Sequence, residues 1–356
     1  MGKDYSSITS DLLLRASENR DTNVVISPIS VLALLEMLKA STGVKTRTEI
    51  EYALYGKADS EETDYCYIDF LNDVCSEDGF DSASVVIVNE GIRDLIRSDY
   101  EELIMNYGAA LFSSSDVING VNRWVDEKTR GMIKHIADDS MTDVQACLMN
   151  ADAFEAEWSD KYEDDDVIDS VFHNSDQTLS NVSMLLSNEY GYIDNAFFTG
   201  FVKEYEEGFQ FVVLLPKKRG KMFLDKAITQ TDFTTITNTA IDTDVRAYMP
   251  EFSMDFDMDL KKYLMGKGVK KVFDDEADFS PMTSADIKIE AIKQKAHIEV
   301  DRAGTKAAAV IYAFVVGACA DNRTQKEVKL DRPFIFAIVH KETGLPVFIG
   351  NVNKLE

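Results

Sequence analysis

Cysteine and histidine are the residue types most able to do chemistry, and the chain carries four of each: Cys66, Cys75, Cys147 and Cys319, and His135, His173, His297 and His340. Structural zinc sites need such side chains in close pairs, so that one turn presents two ligands to one ion. Neither a CxxC pair nor an HExxH helix occurs. The GxSxG elbow of a serine nucleophile, the phosphate-cradling P-loop and the GxGxxG turn are missing too. Isolated histidines are more often surface or core residues than catalysts. The sequence therefore predicts no enzyme, no metal site and no cofactor. Cys66 and Cys75 could bridge, but free thiols are the expectation for a chain of this length.

The stretch that asks for a chemical explanation is GTKAAAVIYAFVVGACADNR, Gly304 to Arg323. Within it Ala307 to Ala320 carries no charge, in a chain with 63 acidic and 37 basic residues. Three readings fit such a run: a buried strand, a short membrane-seeking helix, or a segment whose surroundings change. The helix fails on length, because crossing a bilayer takes about 20 apolar residues. In an extended conformation Thr305, Ala307, Ala309, Ile311 and Ala313 share one face, and every one of them can be buried. Lys306 falls on the other face, where water keeps it charged, and Gly304 is expected to act as a pivot.

The elements that must hold this segment are legible on either side of it. At 356 residues, with 45% hydrophobic and 28% charged residues, the chain can bury a sizeable core. With only six prolines and no repeat or low-complexity linker, it reads as one compact unit spanning residues 1–356. The first half is mainly helical. ITSDLLLRAS, SVLALLEMLKAS (introduced by Ser27-Pro28) and KTRTEIEYALYG space apolar residues three and four apart. VNRWVDEKTRGMIKHI predicts a further helix over Val121–Ile136, with Gly131 as its weak point. ASVVIVNE, VQACLMNADAF, FQFVVLLP, DVRAYMPEFSM, IKIEAIKQKAHIEVD, EVKLD, PFIFAIVH and PVFIGNV read as strands, and HKETGLP reads as the turn of a hairpin. Together these make an α+β protein with large antiparallel sheets.

The formal charge of −26, with no Lys/Arg cluster, argues against nucleic acid, heparin-like polyanions and membranes as partners, and for a cationic protein steered in by the field. MGKDYSS lacks the apolar centre of a signal peptide but matches a myristoylation pattern. The Met-Gly start and Leu355-Glu356 are more simply cloning remnants. A trimmed leader would leave no trace, so a secreted or cell-surface location is expected, with the cytoplasm as the alternative.

Five ordered segments carry a family resemblance: NVVISPISVLALLEMLKASTGVKTRTEI, NADAFEAEW, YMPEFS, EVDRAGTKAAAV and DRPFIFAIVHKETGLPVFIGNV. Together they resemble the serpins over nearly the whole chain. The resemblance implies a monomeric serpin fold with three β-sheets, eight or nine helices and an exposed reactive-centre loop over about residues 304–327. It also implies a function: inhibition of a serine protease as a suicide substrate. The protease forms an acyl-enzyme on the loop, the cut loop inserts as a sheet strand, and the enzyme is distorted before it can hydrolyse the ester. Insertion gains about 1 kcal/mol net per backbone hydrogen bond and ~25 cal/mol per Å² of apolar burial. Ordering the segment costs ~1–2 kcal/mol per residue and takes back much of that gain. A cysteine-protease inhibitor and a non-inhibitory carrier or chaperone are the alternatives.

By the family's spacing the reactive bond is Ala318–Cys319, fourteen residues beyond Gly304. The segment to Pro333 runs a few residues longer than is common, which leaves Val316, Cys319 and Ala320 as near alternatives, with Arg323 further on as one that would suit a trypsin-like enzyme. Val315 to Ala320 are small or short-branched, which suits the shallow primary pocket of a cationic, elastase-like protease. Asn322-Arg323-Thr324 is a formal glycosylation sequon beside the bond, which favours a source that leaves it unmodified, such as a bacterium. The loop hinge comprises Gly304, Thr305, Lys306, Ala307, Ala308 and Ala309. A polar cluster under the opening strands (the shutter) maps to Ser27, Ser30, Asn150 and Gln294, the last standing where the family usually has histidine. Because an amide does not titrate, pH control through that cluster is not expected. Helix capping is an equal reading for the two serines. The breach, where the loop first enters, maps to Trp158, Glu251 and Arg302. The charges of the last two are reversed relative to the family's usual pair, so an ion pair between them is expected.

Overall fold

The computed structural model describes residues 2–18, 22–56, 67–206, 208–305 and 325–356. Eight α-helices lie among them: α1 (Gly2–Ala16), α2 (Pro28–Ala40), α3 (Val44–Tyr55), α4 (Tyr67–Cys75), α5 (Ser98–Asn106), α6 (Asn122–Lys128), α7 (Lys221–Thr229) and α8 (Lys261–Gly266). The strands in the first half are β1 (Val24–Ile26), β2 (Phe80–Val88), β3 (Ala110–Ser113), β4 (Ala146–Phe154), β5 (Ala156–Glu157), β6 (Val167–His173) and β7 (Leu179–Asp194). Those in the second half are β8 (Phe198–Glu204), β9 (Phe209–Pro216), β10 (Ile241–Pro250), β11 (Phe252–Asp259), β12 (Ile289–Val300), β13 (Gly304–Thr305), β14 (Lys326–Lys329), β15 (Phe334–His340) and β16 (Pro346–Val352). Two compact units result, one of Ile26–Ala153 with Asp255–His297, the other of Gly2–Val25, Phe154–Met254 and Ile298–Glu356.

In the first unit the sheet runs β3, β2, β4, β12. β4 is buried along its whole length and pairs in parallel with residues 289–297 of β12, as expected for strands covered on both faces. Its alternation divides the work. Cys147, Met149, Ala151 and Ala153 pack with Val85 and Ile87 of β2 against Val117, Val121, Val125 and Ile133, while Asn150 and Asp152 project to the opposite side. Ser27 caps α2 by accepting from the Ser30 backbone N–H at 3.4 Å, and Pro28 supplies its preset first turn. All residues of α2 from Pro28 to Leu38 are buried, so this helix is sheathed on all sides rather than amphipathic.

The helix expected over Val121–Ile136 stops early. The Thr129 hydroxyl donates to Val125 O at 2.8 Å and accepts from the Ile133 N–H at 3.1 Å, and Arg130 and Gly131 turn left-handed at φ 49° and 82°. Gly131 thus ends the helix instead of weakening its middle.

In the second unit hydrogen bonding runs without a break through β1, β16, β15, β9, β8, β7, β10 and β14, with β6 on β7. β7 makes the join, pairing its Gly191–Asp194 end with β8 and its earlier residues with β10. Two of the expected sheets therefore share one strand. All eight strands expected from sequence are present, DVRAYMPEFSM being divided at Glu251 into β10 and β11. The hairpin between β15 and β16 turns on Gly344 at φ 69°. Leu355, expected to be a cloning remnant, is packed: it is 7% exposed and its N–H donates to Asn174 Oδ1 at 2.9 Å.

Candidate functional site

The second unit holds the start of the uncharged segment in a clasp. Asp301 Oδ1 accepts from the N–H groups of Ala303 (2.7 Å) and Gly304 (3.0 Å), making a tight turn after β12. The chain then pairs on both edges: Thr305 opposite Val300 of β12 and Ala156 of β5, with Gly304 opposite Glu157. A Cβ on Gly304 would meet Ala156 O at 2.1 Å. The glycine expected to be a pivot is therefore needed for the close approach of two backbones, and no positive φ is involved.

Trp158 and Tyr205 lock this turn from below. Trp158 is fully buried; its indole N–H donates to Asp301 O at 2.9 Å and its backbone N–H to Ala303 O at 3.0 Å. Tyr205 stacks on it at 4.4 Å, with ring planes 13° apart. The Tyr205 and Thr305 hydroxyls lie 2.7 Å apart, both buried. Beneath them the buried Lys203 ammonium bonds Glu189 at 2.9 Å and Asp160 O at 3.0 Å, and sits 4.5 Å from the Tyr162 ring. That pairing and the ring faces offset its loss of water. Burial, with Glu189 alongside, pushes the Tyr162 hydroxyl well above its ordinary pKa.

Arg302 and Glu251 approach to 3.6 Å through Nε and Oε1. The hydrogen bond of Arg302 goes instead to Asp164, at 2.7 Å. With the Arg302 side chain 44% exposed, both contacts are weak.

The first unit assembles the polar cluster. Asn150 and Gln294 stand opposite one another in the β4–β12 register. Gln294 donates to Ser27 O (2.9 Å), Asp152 Oδ2 (3.0 Å) and Asn150 Oδ1 (3.4 Å), and accepts from the Ser27 N–H at 3.1 Å. The Ser30 hydroxyl donates to Asp152 Oδ1 at 2.7 Å. Asn150 donates onward to Ser82 and Ser84 at 2.8 and 3.2 Å. Ser27 thus both caps α2 and binds β12, so capping and strand-holding are one arrangement.

Sequence reasoning missed Asp152, Tyr205, Asp301 and Lys203. Asp152 had a signal in the acid it places in the otherwise uncharged strand ACLMNADAF. Its carboxyl is fully buried, and burial pushes its pKa up to about 7 although Ser82, Ser30, Asn150 and Gln294 hydrogen-bond it. Burial, with Asp152 and Asp81 adding to it, raises the Cys75 thiol to about 12, and burial does the same for Cys147. Both thiols are free, and a thiol raised this far carries little of the thiolate that disulfide exchange needs. Lys306, Ala307, Ala308, Ala309, Ala318, Cys319 and Cys66 lie outside the described residues. No helix among the described residues is long and apolar enough to cross a membrane.

Comparison with known proteins agrees with this geometry. The family model described as Serpin (serine protease inhibitor) matches residues 4–355. Iripin-4 of Ixodes ricinus is 26% identical over 368 residues, covering 97% of this chain and 92% of its own. Alpha-1-antiproteinase of Rattus norvegicus is 27% identical over 355 residues, covering 94% and 84%. Among solved structures, the thermophilic serpin tengpin in its native state superposes with a TM-score of 0.86 at 29% identity, covering 100% of this chain and 95% of that one. Human thyroxine-binding globulin, complexed with thyroxine, shares the fold with a TM-score of 0.85 at 22% identity, covering 99% and 98%. With its clasped turn before Thr305, its polar cluster and a family match over almost its entire length, the chain belongs to the serpin family.

Proposed function

We propose that the chain acts as a single serpin domain that inhibits an elastase-like serine protease by loop insertion. Members of this family are in general protease inhibitors rather than catalysts, and some are non-inhibitory. The observation that carries the inhibitory reading is the agreement of two registers at the hinge. Extending the antiparallel pairing of Thr305 with Val300 sets Ala307 opposite Ile298, Ala309 opposite Ala296 and Ile311 opposite Gln294. Extending the pairing of Thr305 with Ala156 sets Ile311 opposite Asn150. Asn150 and Gln294 already face each other across β4 and β12. A strand continuing from Thr305 would therefore fit between them in register on both sides.

Side chains agree with that course. Val300, Ile298, Ala296, Gln294 and Ile292 are all buried, and the alternate loop residues Thr305, Ala307, Ala309, Ile311 and Ala313 would join their face. Lys306 would stand opposite Glu299 on the other face, a favourable cross-strand pair.

The reaction begins as ordinary proteolysis. The protease serine oxygen attacks the Ala318 carbonyl, its proton passes through the protease histidine to the amine of Cys319, and that peptide leaves. The ester to Ala318 remains while the freed loop inserts, a strain release of the kind serpins use. The acidic body steers a basic protease in, and the encounter is read as occurring outside the cell, with a monomeric inhibitor.

Incubation with pancreatic elastase, trypsin and papain tests this. Expected are an elastase complex that survives denaturing gel electrophoresis and a released peptide whose first residue, by mass spectrometry, is Cys319. Cleavage by elastase without a complex would make the chain a substrate and the inhibitory reading wrong. A stable complex with papain alone would shift it to cysteine proteases.

A further inference from the structure

A cavity of about 540 Å³ opens in the second unit, lined by the end of α1, the β6–β7 turn, the start of α7 and the segment that follows β14. No residue of the hinge clasp lines it. Among its described lining residues five are basic, His173, Lys218, Arg219, Lys221 and Arg332, and none is acidic. In a chain with 63 acids against 37 bases, a wall of bases runs against composition.

The wall is also built. Arg332 donates to Pro216 O at 3.1 Å and bonds Asp331 at 3.0 Å, while Lys221 donates to Ser17 O at 2.9 Å and Asp225 at 2.7 Å. Asn174, 6% exposed, fixes the β6–β7 turn by donating to Thr178 Oγ1 and Ser180 Oγ, both at 2.9 Å. Gly220, at φ 106°, turns the chain into α7 at the rim. Two cations remain uncommitted. Arg219 has no hydrogen-bond or ion-pair partner among the described residues, and the Lys218 ammonium only rests over the Phe223 ring at 5.3 Å. Pro216, Leu224 and Pro333 supply apolar surface beside them.

We propose that this cavity binds a small amphipathic organic anion. A sulfonate, sulfate, phosphate or carboxylate head would take charge-assisted hydrogen bonds from Arg219 and Lys218, and a flat apolar body would lie against the prolines and Leu224. The volume is that of an ordinary small-molecule site. A cation would meet the wrong sign. The proposal stands independently of protease inhibition, and the failure of either leaves the other intact.

The probe is 8-anilino-1-naphthalenesulfonate, followed by fluorescence titration of the full chain. Its neutral counterpart, N-phenyl-1-naphthylamine, has the same aromatic body without the sulfonate. Expected is saturable one-to-one binding that Lys218→Glu with Arg219→Glu weakens at least tenfold, with the neutral compound a poor competitor. Lys226→Glu, on α7 but outside the lining, is the control for general charge and should leave the affinity within twofold. Melting curves superimposable on the wild type establish that the variants fold. An unchanged dissociation constant in the double variant would overturn the proposal, as would an equal loss in the control or equal competition by the neutral compound.

Discussion

At the scale of single residues, Asp152 ties stability to pH. Its carboxyl lies fully buried between the Ser30 hydroxyl and the Gln294 amide, with its pKa raised from 3.8 to about 7. Between those values the native state holds a proton that the unfolded chain has lost, so stability falls as pH rises through the window and levels off above it. The full effect is on the order of 4 kcal/mol. The thermal midpoint should therefore be lower at pH 8 than at pH 5, and Asp152→Asn should remove most of that difference. An identical profile in the variant would refute the assignment. The same substitution keeps an amide to accept from Ser30, so a folded product is expected. Arg302 makes a smaller prediction. Arg302→Glu would set an acid beside Glu251 and Asp164; because the arginine is largely solvated, the gain in spontaneous polymerisation rate, followed by native gels at 37 °C, should be several-fold at most.

Among the elements, the two residues of β13 are where insertion would begin under the proposed mechanism. Thr305 is fully buried between β12 and β5 with its hydroxyl on Tyr205. Thr305→Arg would have to bury a guanidinium there, at a cost of several kcal/mol. Under the inhibitory reading that variant should be cut by the target protease yet form less than a tenth of the wild-type complex on a denaturing gel. Wild-type yields of complex would show that insertion does not proceed through this register. The elements themselves were largely legible. The eight strand segments have β-branched and aromatic residues bounded by turns, and α3 ends at its Gly56 as a left-handed cap should. The helix expected over 121–136 ends early because Thr129 satisfies its own backbone neighbours, a local competition that apolar spacing does not reveal.

For the whole molecule, the reading requires that the uncut form stores free energy released when the loop becomes a strand. Nicking the loop with a non-target protease should raise the melting temperature by tens of degrees, since each new backbone bond adds about 1 kcal/mol against a native stability of ~5–15 kcal/mol. An unchanged midpoint, measured by differential scanning calorimetry, would remove the driving force and the inhibitory mechanism with it. The net charge of −26 acts at this scale as well, in the long-range field that a basic protease would meet before any contact forms.

The sequence by itself determined the α+β class, the family, and the face on which Thr305, Ala307, Ala309, Ile311 and Ala313 fall, because periodicity and composition are properties of the chain taken in order. It also marked Ser27, Ser30, Asn150 and Gln294 without revealing what they surround. Only the tertiary structure decided that Asp152 accepts from Ser30 and Gln294, that Tyr205 and Asp301 hold the turn at Gly304 and Thr305, and that Gly304 is required by the Ala156 carbonyl. It also decided that five bases from distant segments share one cavity. These depend on which side chains converge from residues up to hundreds of positions apart, and on the burial that follows. No local pattern encodes either one.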